Sequence, residues 1–150
     1  MLLQLYTKSL DAQVSDNQLK QDLLKLEQAL VIGIKTHDTT ALKNIIANEY
    51  QLSVAILDDT LVGPKFLQAV RREQWLPNCF QWSFDSAALT QISVSSWGEV
   101  AVFRSLQHFY NLMIGNSQPP FTGALVTDLW LKRDKRWQLV TRLSERLPKK

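Results

Sequence analysis

The chain has 150 residues, a net charge of +3, 45% hydrophobic and 21% charged side chains. That is the profile of one globular domain, and a chain of this length buries about 68–70% of the surface it exposes when unfolded, so it needs no metal or disulfide to fold. Cys79 is the single cysteine, which excludes an internal disulfide; no window approaches the roughly 18 apolar residues of a membrane span, and the opening MLLQLYTKSL lacks a basic leader, so a cytoplasmic protein with no membrane partner is expected.

Residues 1 to 14 carry Leu2, Leu3, Leu5, Tyr6 and Leu10, enough apolar surface to dock but too little pattern to assign, and are read as an N-terminal extension. Ser15 and Gln18 have capping-box spacing, and Leu19, Leu23, Leu26, Leu30, Gly33 and His37 recur at three and four residues. This predicts an amphipathic helix of about twenty residues with its stripe toward the core. The pattern breaks at Thr36-His37-Asp38-Thr39, where His37 suits a capping role better than a catalytic one and Asp38 or Thr39 can start a shorter helix through Leu42, Ile45 and Ile46. Leu52, Val54 and Ile56 alternate with Ser53 and Ala55 and predict a strand from Tyr50 to Leu57. Asp58-Asp59-Thr60 is turn chemistry; Gly63-Pro64 then reads as the start of a third helix, with Phe66, Leu67, Val70 and Trp75 inward and an end at Leu76-Pro77-Asn78.

The remainder alternates as strands. Phe80, Trp82 and Phe84 make one run, Leu89, Ile92 and Val94 another, and Trp97-Gly98 a turn. From Glu99 to Met113 one face shows Val100, Val102, Arg104, Leu106, His108 and Tyr110, and the other Ala101, Phe103, Ser105, Gln107 and Phe109; the pattern alone leaves open which turns inward. After a loop at 114 to 120, residues 121 to 147 form two alternating runs around the charged tip Arg133 to Arg136, a β-hairpin. With Asp134 and Lys135 as the tip, Trp130 faces Leu139, Asp128 faces Thr141 and Val126 faces Leu143; a three-residue loop would move each partner by one. One face of the ribbon then carries Val126, Asp128, Trp130, Trp137, Leu139, Thr141 and Leu143. The other carries Leu125, Thr127, Leu129 and Leu131 against Gln138, Val140, Arg142 and Ser144. Helices first and antiparallel strands afterward make an α+β domain spanning the whole chain, residues 1 to 150, with 148 to 150 as a basic tail.

Helix pair, strand, helix and long hairpins ending in TDLWLKRDKRWQLVTRLS resemble the nuclear transport factor 2 (NTF2)-like superfamily, and within it the SnoaL-like and DUF4440-type bacterial proteins. Thr127-Asp128-Leu129-Trp130, Lys132-Arg133-Asp134 and Trp137-Gln138-Leu139-Val140 carry the resemblance, over roughly residues 18 to 147. It implies a cone, a strongly bent antiparallel sheet wrapped around the N-terminal helices with a central pocket, and homodimers through the outer sheet face. The family usually writes Asp-Gly where this chain has Asp134-Lys135, which makes a tight type I′ tip less comfortable. In ketosteroid isomerases of the superfamily a tyrosine, a base aspartate and a hydrogen-bonding aspartate act together; the matching positions fall near Leu30, near Val54 and at Asp128. Leucine and valine abstract no proton, so the isomerase reaction is disfavoured. The acid–arginine–acid group of limonene-epoxide-hydrolase-like members finds only Asp128 and Arg104 here.

Asp128, alone on an apolar face, is the candidate catalytic residue, as acid or base; the bland reading is a structural carboxylate bonded to Thr141 or Arg104. Asp128, Trp130, Val126, Thr141, Leu139, Arg104, His108, Tyr110, Leu30 and Val54 are the expected pocket residues, and the tryptophans Trp82, Trp97, Trp130 and Trp137 are more often core than ligand cage. His37, His108 and Cys79 lack ligand spacing, and there is no Gly-rich phosphate loop or nucleophile elbow, so neither a metal nor a cofactor is expected. Residues 132 to 150 hold eight of the 17 basic side chains against two of the 14 acidic ones, leaving −3 for the rest. No aromatics are interleaved with those cations, so a nucleic-acid partner is not expected. The leading expectation is a domain binding a small hydrophobic molecule with Asp128 as polar anchor. A lyase, isomerase or cyclase acting on a polyketide- or steroid-like substrate is the second, and a dimerisation or assembly module built on Leu125, Leu129, Leu131 and Val140 the third.

Overall fold

The computed structural model describes the backbone of residues 2–56 and 65–148 and the side chains of 16–55 and 69–147. The chain opens with α1 (Leu2–Thr36) and α2 (Thr39–Ile45). Helix α1 runs straight through Ser15, so the capping-box spacing there marks no helix start. Among its described residues, the side chains of Leu23, Glu27, Leu30 and Ile34 are buried, one stripe at intervals of three and four residues. It ends where His37 takes a left-handed φ of 57° and the Asp38 N–H donates back to the Gly33 carbonyl at 2.9 Å. Asp38 then caps α2 as expected, its Oδ1 accepting from the Ala41 N–H at 2.9 Å.

Strand β1 (Ile46–Ile56) follows and begins four residues before the expected Tyr50, taking Ile46 from the expected second helix. The expected third helix is two elements: β2 (Lys65–Arg71), paired antiparallel with β1, and α3 (Arg72–Cys79), which carries Pro77 inside it. Phe66, Gln68 and Val70 alternate as readily as Phe66, Leu67 and Val70 fit a helical side, and the open edge of β1 decides between them; Gly63-Pro64 lies outside the described residues. Of the run from Phe80 to Phe84 only β3 (Trp82–Ser83) is strand, pairing with β6 (Met113–Ile114).

β4 (Ser86–Trp97) and β5 (Val100–Tyr110) form one hairpin across Gly98, whose φ of 61° the turn requires; β7 (Phe121–Arg133) and β8 (Arg136–Pro148) form the other. The six-stranded sheet runs β2-β1-β8-β7-β5-β4 and is antiparallel except where β1 lies parallel to β8. Asp134 and Lys135 are the two tip residues, with φ of 48° and 64°, so the type I′ tip forms without glycine.

A bulge in β8 sets the inner surface. Trp130 pairs with Leu139 as predicted, but Leu129 pairs with Thr141, leaving Val140 as the extra residue. From there to Gly123 each partner moves by one: Asp128 faces Arg142 rather than Thr141, and Val126 faces Ser144 rather than Leu143. Because strand side chains alternate, Arg142, Ser144 and Arg146 turn inward while Thr141 and Leu143 turn outward. Four cross-strand rows cover the concave face: Ala101, Trp130, Leu139 and Ile46; Phe103, Asp128, Arg142 and Leu52; Ser105, Val126, Ser144 and Val54; and Gln107, Ala124 and Arg146. In the last row Gly123, next to Ala124, permits close strand approach, since a Cβ there would lie 2.6 Å from the Gln107 carbonyl oxygen.

Candidate functional site

The first row is solid core, with Ala101, Trp130 and Leu139 at 0% exposure. The second row holds the charge. Arg142 Nε donates to Asp128 Oδ1 at 2.7 Å, and Nη2 donates to Asp128 Oδ2 and to Glu27 Oε2, each at 2.7 Å. Both carboxylates are 0% exposed. One guanidinium cannot neutralise two buried carboxylates, and burial first, then the Asp128 charge, raises the Glu27 pKa well above its ordinary 4.5. Of the two acids, Glu27 is the one whose carboxyl is pushed toward its protonated form. Burial alone would lower the Arg142 pKa; the charges of Asp128 and Glu27 outweigh it and raise the value further.

The third and fourth rows open into a cavity with room for water-molecule centres over about 60 Å³. Val31 and Ile34 of α1, Trp75 and Cys79 of α3, Phe109 and Phe121 enclose it with Leu52, Val54, Ala124 and Val126 from the sheet, and Gln107, Arg142, Ser144 and Arg146 bring the polar atoms. The Cys79 thiol, pushed up to about 12 by burial, donates to the Leu76 carbonyl at 3.2 Å and is inert as a nucleophile. Among the described residues no group of three or more His, Cys, Asp or Glu is placed to hold a metal ion.

Val54 and Val126 line this cavity as expected residues. Asp128, Trp130, Leu139 and Leu30 lie in the fully buried layer behind it, Asp128 as the bidentate partner of Arg142. Thr141 is carried to the outer face by the bulge and its hydroxyl donates to the Gln51 carbonyl at 3.0 Å. Arg104, His108 and Tyr110 are also corrected to the outer face: Ala101, Phe103 and Phe109, the bulkier apolar set, take the inside with Ser105 and Gln107. Of the tryptophans, Trp130 is core, whereas Trp97 stands 66% exposed at the β4–β5 tip.

Sequence reasoning missed Glu27, Arg142, Ser144 and Arg146. Glu27 had a signal, a carboxylate four residues after Leu23 and three before Leu30 on the apolar stripe. The β8 residues had none short of the bulge. The acid–guanidinium–acid group sought around Arg104 is present on Arg142 instead, but both carboxylates are sealed from the cavity, and only Arg142 reaches it. Tyr50, Ser105 and Trp130 add buried polar atoms without partners around this cluster, as does Glu27 through Oε1.

No family model matches the chain, and no curated protein matches its sequence. Solved structures do. An NTF2-like protein from Cytophaga hutchinsonii superposes with a TM-score of 0.66 at 11% identity, covering 85% of this chain and 97% of that one. The fold is NTF2-like. A putative Ca/calmodulin-dependent kinase II association domain from Exiguobacterium sibiricum gives 0.66 at 11% identity, with 89% and 95% covered. The association domain of C. elegans CaMKII gives 0.60 at 13%, with 87% and 97% covered. At these identities the likeness is one of fold, and the NTF2-like cone accounts for the sheet curvature, the helices on its concave side and the cavity between them.

Proposed function

We propose that this NTF2-like chain is a small-molecule-binding domain whose ligand occupies the cavity above the Glu27–Arg142–Asp128 cluster. The observation that supports this reading best is a largely apolar cavity carrying a short strip of polar donors on a single strand, Arg142, Ser144 and Arg146. Asp128 acts indirectly here, holding Arg142 in place from behind. A polyketide- or steroid-sized substrate is disfavoured, because 60 Å³ is far below the roughly 300–1,000 Å³ of drug-sized sites. A thermal-shift screen of compounds with small apolar bodies tests the reading: a ligand at 100 times its Kd adds about 2.7 kcal/mol. If no compound raises the melting temperature, and filling the cavity with Ala124→Leu alters nothing in the screen, binding is abandoned.

A second reading, self-assembly, is favoured by the outer sheet face. Val102 pairs with Leu129 and Leu106 with Leu125 there, and Leu143 lies on the third strand, apolar side chains interleaved with Arg104, Thr127, Thr141 and Glu145. Two of the fold's neighbours are association domains by name. The two readings use opposite faces of one sheet and do not compete for residues.

A further inference from the structure

Arg142, Ser144 and Arg146 share one wall of the cavity, yet the two arginines differ in what balances them. Arg142 is engaged through Nε and Nη2 by two acids. Arg146 has no such partner: among the described residues it enters no ion pair, and its Nε is buried with no hydrogen bond. Its guanidinium lies 4.3 Å from the Phe121 ring centroid and 5.9 Å from that of Trp82, where aromatic faces replace water without supplying an acceptor. Burial lowers its pKa from the ordinary guanidinium value, but a guanidinium stays charged at neutral pH. A cation held half out of water costs free energy unless an acceptor meets it. Among the described residues, Arg142 is supplied with acids and Arg146 faces the cavity without one.

The space beside it limits the size of that acceptor. About 60 Å³ of room for water-molecule centres suits a small ligand rather than a drug-sized one. Val54, Ala124 and Val126 line the neighbouring wall, and Ser144 offers one hydroxyl. Resting on the ligand-binding reading above, we propose that Arg146 is the anion-binding residue of the cavity and that the ligand is a short aliphatic monocarboxylate, its head group on Arg146 and Ser144 and its chain among Val54, Ala124 and Val126. A single uncompensated guanidinium suits one carboxylate charge, to which it can present two parallel N–H donors.

Calorimetric titration with straight-chain carboxylates of two to eight carbons, each beside its primary amide, tests this. An optimum at intermediate length is expected, with the acid at least about tenfold tighter than its amide. Arg146→Met should abolish that preference while keeping the side chain apolar, and Arg146→Lys should retain part of it. Equal binding of acid and amide by the native protein overturns the carboxylate assignment while leaving an apolar cavity that binds neutral compounds, and an acid preference that survives Arg146→Met overturns Arg146 as the anion-binding residue. Failure of both series, together with a blank thermal-shift screen, overturns the binding reading as well.

Discussion

Glu27 and Asp128 converge on one guanidinium, and burial together with the Asp128 charge raises the Glu27 pKa. A buried pair of this kind gains little stability over apolar side chains of equal volume, but removing one member leaves an uncompensated charge. The raised pKa makes stability depend on pH in a stated direction. Above the ordinary carboxyl value of 4.5 and below the raised folded value, the native state holds a proton that the unfolded chain has lost. Glu27's contribution is therefore complete below 4.5 and declines as pH rises through the folded value, by up to about 1.4 kcal/mol per pH unit. Glu27→Gln places an amide where the protonated acid stood and cannot titrate. Urea melts from pH 5 to 9 should show the variant within about 1 kcal/mol of the native protein at pH 5 and increasingly the more stable of the two above it. A parallel decline in both proteins would remove Glu27 as the source. At this scale the sequence was half legible: Asp128 stood out as a carboxylate on an apolar face, whereas its partner depended on a pairing register that no single residue specifies.

Strand β8 shows what a single extra residue does to an element. Up to Leu139 the pairing counted from the tip holds; past Val140 it is displaced, and Arg142 changes from an outer to an inner residue. Alternation in sequence cannot reveal this, because a bulge inserts a phase change without altering composition. The same limit appears in β4, where Gln91 takes a φ of 51° as the register slips between Thr90 and Ser93. The tip itself was legible in length but not in comfort: Lys135 occupies the left-handed region at φ 64°, a conformation that costs an L-residue roughly 1–2 kcal/mol. Lys135→Gly relieves that strain and gives back part of the gain through a freer unfolded chain. A net stabilisation of about 0.5–1 kcal/mol is expected, read as a higher urea midpoint at unchanged slope. The helix assigned from Gly63 failed for a different reason, since Phe66 to Arg71 satisfies two periods and only the waiting edge of β1 selects one.

For the whole molecule, the NTF2-like cone separates an inner face rich in charge pairing from an outer face rich in leucine. The inner face is closed off by α1, whose Glu27 reaches across to β8. On the outer face Leu125, Leu129 and Leu131 are only half buried among the described residues. Sedimentation velocity should report a dimer or larger assembly that Leu129→Glu dissociates without loss of helical and strand signal. A native protein that sediments as a monomer would rule out the assembly reading. The class and order of elements were legible because helices precede hairpins and the TDLW run carries its own signature. The contents of the cavity were not, since they are set by which residues a curved sheet brings into line.

The parallel seam between β1 and β8 joins Ile46 to Leu139 and Ile56 to Arg146, about ninety positions apart in each case. A ribosome delivering this chain would release the helix pair and β1 long before their neighbour is synthesised, so β1 must wait with one edge unsatisfied while two hairpins emerge. Assembly late in translation, with a slow closing step typical of distant strand pairings, is the kinetic consequence. Any chaperone attending this chain would find its most vulnerable surface on the early strand rather than on the late ones.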